Sequence, residues 1–353
     1  MKIAHTTSIL TLILSAITTL LVASCKPQAP ENEPGNKLHD DPTRMEITLF
    51  KTHFHGMAPH ANADNEGVKY GAAQQKVVLE LVPGKGLTIS PSGQPGFIVA
   101  GNIGKGGDPA HEGKPYPKPE DPKSRTWTDQ TFVPEKYNAG HTQYGMLIRY
   151  FNKAGEDITY QFATNGQEKI HQHFFLAKNI RWMKNATSQD KSQLKSGYNY
   201  YYYYYYDTTP WDKLIRDGAK FTGISNPIGL KGYFEFYQSE TVFDLNILLL
   251  HASRSKFLSG SGKTAPFTGP TPGQKSRDAF DLNISIPVWV YADEDEFDEV
   301  EFEAFENMTP KEHAIVRRLA EAANVTEKEA FESLNSRTQG EIPPHDPNVG
   351  LGL

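Results

Sequence analysis

Cysteine is almost missing from this chain. Cys25 is the only one among 353 residues, so no disulfide can form within it. Positive charge is not in excess either. Lys and Arg number 36 against 42 Asp and Glu, a formal net charge of −6, and no basic stripe runs through the sequence. A general affinity for nucleic acid is therefore not expected. Apolar runs long enough to cross a bilayer are also lacking. The stretch Ile9 to Val22 is interrupted by Ser and Thr and is too short for a permanent membrane helix. Helical periodicity is confined to the C-terminal end. Without alternating strands and helices, a doubly wound sheet and a (β/α)8 barrel are both excluded.

What the chain does have is aromatic residues, 17 Tyr and 19 Phe, which favour strands. Strand patterns fall at Met45 to His55, Gln75 to Val82, Phe97 to Ala100, Tyr144 to Phe151, Ile158 to Ala163, Glu168 to Leu176, Tyr198 to Tyr206, Gly232 to Tyr237 and Val242 to His251. The pentapeptide Phe243-Asp244-Leu245-Asn246-Ile247 recurs as Phe280 to Ile284, at the head of a strand running to Tyr291. Turn signals separate these runs. Tyr144 to Phe151 and Ile158 to Ala163 read as a hairpin across Asn152 to Gly155. Gly101 to His141 reads as a long surface loop. At the C-terminal end, Thr309-Pro310-Lys311-Glu312 and Thr326-Glu327-Lys328-Glu329 are capping boxes that each open a helix. The expected fold is mainly β: an antiparallel β-sandwich, one large or two tandem, with a small C-terminal helical hairpin. The expected layout is a targeting segment at 1–24, a disordered tether at 25–44 and the sandwich body at 45–292. An acidic connector at 293–308, the helical hairpin at 309–337 and a disordered tail at 338–353 follow.

The targeting segment has Lys2 at its start and ends in Leu21-Val22-Ala23-Ser24-Cys25. An aliphatic residue and two small residues before a cysteine resemble the lipobox of bacterial lipoproteins. The resemblance covers only the first 25 residues. It implies that Cys25 is lipid-modified and becomes the mature N-terminus, so that the membrane is a partner through the anchor. Lys26 follows where Asp would hold some Gram-negative lipoproteins at the inner membrane. The implied address is the cell envelope, leaning to the outer membrane.

Two His-x-His pairs are the constellation that suggests chemistry: His53 with His55, and His171 with His173. Residues two apart on a strand share a face. The apolar face of Val242 to His251 likewise runs into His251, and His60 stands near the first pair. If these strand ends meet, imidazoles converge on a transition metal such as Zn or Cu, or on haem iron. The bland alternative is histidines paired with carboxylates or lining a sheet. Tyr200, Tyr202, Tyr204 and Tyr206 would form one face of a strand. Exposed, they would be a ligand-binding ladder for carbohydrate or protein. Covered, they would be ordinary packing. Gly260 to Thr264 lacks the first glycine of a phosphate loop, since Phe257 stands there. Asp293 to Glu306 lacks the glycine and spacing of a calcium loop. The first His pair has no Glu after it as a cupin-like site would want. The resulting reading is a lipid-anchored envelope binding protein that holds a metal or haem through strand histidines. The alternative is an adhesion or structural lipoprotein using the tyrosine strand, for an envelope protein or a small ligand. A metal-dependent enzyme ranks below both.

Overall fold

The computed structural model describes residues 35–55, 58–60, 74–101, 143–184, 186, 194, 200–213, 218–293 and 304–338. For residues 51–60 the description covers backbone alone. The targeting segment, the first part of the tether, the long loop after Gly101, most of the acidic connector and the tail lie outside the described residues.

The fold is an antiparallel β-sandwich. Its strands are β1 (Arg44–His55), β2 (Ala58–His60), β3 (Gln74–Val82), β4 (Gly86–Ile89), β5 (Phe97–Gly101), β6 (Gln143–Phe151), β7 (His171–Trp182), β8 (Tyr201–Tyr205), β9 (Thr208–Thr209), β10 (Lys220–Phe221), β11 (Lys231–Phe236), β12 (Thr241–His251) and β13 (Ala279–Asp293). One sheet runs β4-β3-β1-β6-β11-β8, with β2 folded back on β1; the other runs β5-β13-β12-β7, and β9 and β10 form a small ribbon. Among the described residues, the one parallel pairing joins β5 to β13. Alternation explains which sheet faces meet. Met45, Ile47 and Leu49 of β1 and Phe243, Leu245, Ile247 and Leu249 of β12 are all buried in one shared core. Each such side chain contributes about 1.5–3 kcal/mol by leaving water. A single core drawn from both sheets makes this one sandwich rather than two in tandem. On the outer face of β1, Glu46 pairs with Arg44 at 3.0 Å and Lys76 at 3.3 Å.

The C-terminal hairpin forms as its capping boxes predict, with helices at Pro310–Ala323 and Glu327–Thr338. The Thr309 hydroxyl accepts from the Glu312 backbone N–H, and the Glu312 side chain accepts from Thr309 N. Ile315, Val316 and Leu319 bury against Ile98, Val242, Trp289 and Tyr291 on the outer side of the four-stranded sheet. The Arg318–Glu240 ion pair at 2.5 Å fastens the edge of that contact.

Two expectations change. Ile158 to Ala163 is not the second strand of a hairpin. Asp157 Oδ1 accepts from Thr159 N at 2.9 Å, which turns the chain into a short helix, α1 (Tyr160–Ala163). That turn drives Phe162 fully inside. The tyrosine strand is also not an exposed ladder. Tyr201, Tyr203 and Tyr205 enter the core, Tyr200 is buried, and Tyr202, Tyr204 and Tyr206 are half-buried. Tyr202 packs on Tyr204 and Phe267, with ring centroids 4.5 and 5.1 Å away, and Tyr206 on Phe221 and Tyr233, each at 5.1 Å. Neighbouring rings thus shield part of that face.

The inward tyrosines solve an edge problem. β7 borders its sheet, and an unpaired edge leaves buried backbone groups that need partners. His173 N and Phe175 N donate to Ile228 O and Phe267 O at 2.7 and 2.8 Å. Tyr205 donates its hydroxyl to His173 O at 2.6 Å, and Tyr201 donates to Phe175 O. Gly232 on β11 makes room for this row, because a Cβ there would overlap the Tyr203 hydroxyl.

Candidate metal centre

Strand register brings the first two ligand residues together. His171 opens β7 and His251 closes β12, and the two are direct cross-strand partners. Both lie on the core-facing parity of their strands, continuing Phe175 and Leu249. Asp281 arrives by a different route. Leu249 pairs with Leu282 but Leu250 pairs with Phe280, so Asp281 is the extra residue of a β-bulge. Bulges re-aim a side chain. Strict alternation would set Asp281 on the outward side with Asn283 and Ser285; the bulge turns its carboxylate to His251. His39 comes from the segment before β1. Asp40 N donates to Gln161 Oε1 at 2.7 Å, and Gln161 Nε2 donates to Asp40 Oδ2 at 3.0 Å. This pair of bonds seats the His39 ring on Phe162, centroids 4.3 Å apart.

The four residues present three imidazole nitrogens and one carboxylate oxygen within 4.8 Å of one another, a group that could hold a metal ion. His251 Nδ1 lies 2.9 Å from Asp281 Oδ2, 3.2 Å from His171 Nε2 and 3.4 Å from His39 Nε2. Asp281 Oδ2 lies 3.1 Å from His39 Nε2 and 3.3 Å from His171 Nε2. Zinc bonds to N and O of about 2.0–2.1 Å place tetrahedral ligands about 3.3 Å apart. A square-planar ion with the same bonds needs four separations of about 2.9 Å and two of about 4.1 Å. Five short separations are one too many for the square, and each of the five lies near the tetrahedral value.

The proton inventory points to the same conclusion. His171 Nδ1 is 3.0 Å from Gln167 O, and His39 Nδ1 is 3.1 Å from Asp40 O. A carbonyl only accepts, so each Nδ1 carries a proton and each ring turns its Nε2 to the centre. Backbone carbonyls orient metal-bound imidazoles in this way. Burial, partly offset by Asp281, lowers the His171 pKa to about 4, so the ring is neutral near pH 7. Burial alone raises the Asp281 pKa, but the surrounding His171, His251 and His39 outweigh it and hold the carboxyl well below its usual range. The result is three imidazole nitrogens gathered on one carboxylate, a set that could hold a metal ion. The donor set, three imidazoles and one carboxylate, suits Zn. Haem does not fit. Its two axial nitrogens must lie on opposite sides of the macrocycle, and four donor atoms this close leave no plane for one.

The site is closed. The His171 and His251 side chains are fully buried, and Asp281 keeps 14% of its side-chain exposure. Phe162 walls the inner side, 5.3 Å from the His171 ring. Four protein ligands fill a tetrahedron, which is the form of structural zinc sites. Catalytic sites keep a position open.

The structure separates the histidines that the sequence groups together. His171 and His251 enter the cluster. His173 does not, although it is buried and shares the face of His171. Its Nδ1 bonds Ile228 O at 2.8 Å and its Nε2 bonds the Tyr150 hydroxyl at 2.6 Å, so both nitrogens are engaged. Burial lowers its pKa to about 3. The side chains of His53, His55 and His60 lie outside the described residues, but the backbone of β1 sets their place. Tyr150, which reaches His173, pairs with Met45. His53 is eight residues further along β1, roughly 26 Å at the rise of a strand. The two His-x-His pairs therefore lie toward opposite ends of the strands and share no ion. His39 and Asp281 escaped the sequence reading. His39 sits in a polar segment without periodicity, inside the stretch expected to be a disordered tether, and nothing local marks it. The parity of β13 points Asp281 away from the core, and no turn residue announces the bulge.

No family model matches this chain, and neither a curated protein nor a solved structure matches it.

Proposed function

We propose that this protein is a lipid-anchored binding protein of the cell envelope whose sandwich is built around one zinc ion, held by His39, His171, His251 and Asp281. The observation that carries the metal reading is the convergence of three buried imidazole nitrogens on the Asp281 carboxylate, with separations of 2.9 to 3.4 Å. The ion would tie together chain positions far apart in sequence. In a chain with one cysteine, it does the work that a disulfide does in other secreted domains. A filled coordination shell supports binding and stability rather than metal-assisted catalysis. The envelope address rests on the lipobox resemblance at Cys25, with the outer membrane favoured by Lys26. The adhesion alternative draws less support, because Tyr200 is buried and Tyr202, Tyr204 and Tyr206 are half-buried.

The test is elemental analysis of the purified protein by mass spectrometry. One zinc per chain is expected. Asp281→Asn and His251→Ala should lose it, while the double change His53→Ala and His55→Ala should keep it. A metal-free wild type that also fails to bind added Zn²⁺ would sink the proposal.

A further inference from the structure

The geometry points to a metal-dependent clasp: the ion that completes the site also docks the segment just before β1, and so sets where the sandwich is free of its N-terminal tether. This inference rests on the zinc reading above and goes beyond it. Three of the four ligands, His171, His251 and Asp281, belong to β7, β12 and β13. His171 and His251 are cross-strand partners, and Asp281 sits in a bulge between the paired Phe280 and Leu282, so their backbone positions need no metal. The fourth, His39, belongs to no strand. Its Nε2 reaches Asp281 at 3.1 Å only while residues 38–40 lie against α1. Leu38 keeps 66% of its surface exposed, and the Asp40–Gln161 bonds lie at the surface. The ring of His39 is thus the buried anchor of an otherwise exposed segment.

The metal strengthens that anchor. With an ion present, His39 Nε2 is a ligand and the segment is tied to the strands through a metal bond. Without one, that bond is lost and the ring keeps only its contacts with Phe162, Asp281 and His251. The sheet proper begins further on. Thr43 N donates to Phe151 O at 2.9 Å, and Leu81 N donates to Thr43 O at 2.8 Å, so β1 stays paired in either state. Release would therefore free the chain through residue 42. Residues 38–42 would add up to about 17 Å of reach at full extension.

Linkage makes the coupling reciprocal. If zinc favours docking, weakening docking must weaken zinc. Gln161→Ala removes both hydrogen bonds to Asp40 without touching a ligand. It should lower zinc affinity by about tenfold, as two exposed hydrogen bonds of about 0.5–1 kcal/mol would give when fully coupled. The experiment is hydrogen exchange by mass spectrometry on the full chain in mild detergent, zinc-loaded against chelator-treated, with zinc affinity measured alongside. Amides of residues 38–41 should gain at least tenfold protection with zinc, while those of residues 45–49 stay protected in both states. His39→Ala should still bind zinc through three ligands, more weakly, with no protection gained at 38–41. If zinc binds one per chain but the 38–41 amides exchange equally with and without it, or if Gln161→Ala binds zinc as tightly as wild type, the clasp is wrong and the metal centre survives. If wild type binds no zinc at all, the metal reading itself fails and takes the clasp with it.

Discussion

Replacing His251 by Ala separates a zinc centre from a cluster of merely buried histidines. A ligand that binds only the folded state stabilises it by RT ln(1 + [L]/Kd), about 2.7 kcal/mol when free zinc is at 100 times Kd. For a domain of 150–250 residues, each kcal/mol moves the melting midpoint by about 2–4 °C. Zinc should therefore raise the wild-type midpoint by about 5–11 °C. His251 lies closest to Asp281, at 2.9 Å, and touches both other imidazoles. Removing it breaks three of the separations that define the tetrahedron, and the zinc-dependent rise should fall to near zero. His173→Ala is the control. It strands the Tyr150 hydroxyl, at about 1–3 kcal/mol for an unsatisfied buried group, while Ile228 O keeps the His173 backbone N–H. Its baseline midpoint should drop well below wild type, yet the rise on adding zinc should be kept. Asp281→Asn preserves shape and removes the charge, so it guards against a misfolded His251→Ala. The assay is calorimetry or dye-monitored melting, with the zinc increment as the readout. If His251→Ala and Asp281→Asn both keep the increment, or if His173→Ala loses it, the assignment of ligands is refuted.

Acid should destabilise the metal-free protein from the imidazole range downward. His171 and His173 have folded pKa values lowered by burial to about 4 and about 3, against about 6.5 unfolded. The unfolded chain therefore binds more protons below pH 6.5, so stability falls as pH drops toward 4, by up to about 1.4 kcal/mol per pH unit for each ring. Urea midpoints measured from pH 7.5 to 4.5 should decline along that course, and a flat profile would contradict the burial of these rings. Tyr205→Phe removes the hydroxyl that donates to His173 O and accepts from Gln172 Nε2 at 3.0 Å; it should cost about 1–3 kcal/mol in chemical denaturation, and a neutral result would show that the β7 edge does not need this partner. Cys25→Ala should move the protein out of the membrane fraction or leave an uncleaved precursor, as fractionation with mass measurement would show. A mature, membrane-bound variant would contradict lipid anchoring at this residue.

The sequence by itself determined the class of fold, the boundaries of the helical hairpin and half of the site. Alternation on β12 and β7 carries an apolar face straight into His251 and His171, and a two-residue period needs only local information. Capping boxes at Thr309 and Thr326 are equally local. Register was beyond that reading. Which histidine meets which depends on how far β7, β12 and β13 slide past one another, and the packing of the core shared by both sheets sets that slide. His173 and His171 are alike in sequence, yet only the tertiary structure gave Tyr150 and Ile228 to one and Asp281 to the other. The bulge at Asp281 reverses the parity its own strand prescribes, because pairing to Leu249 and Leu250 skips a residue. His39 joins only when α1 turns Phe162 and Gln161 toward it. A metal site assembled from four distant segments has no local spacing to read, and the closure of the fold decides its membership.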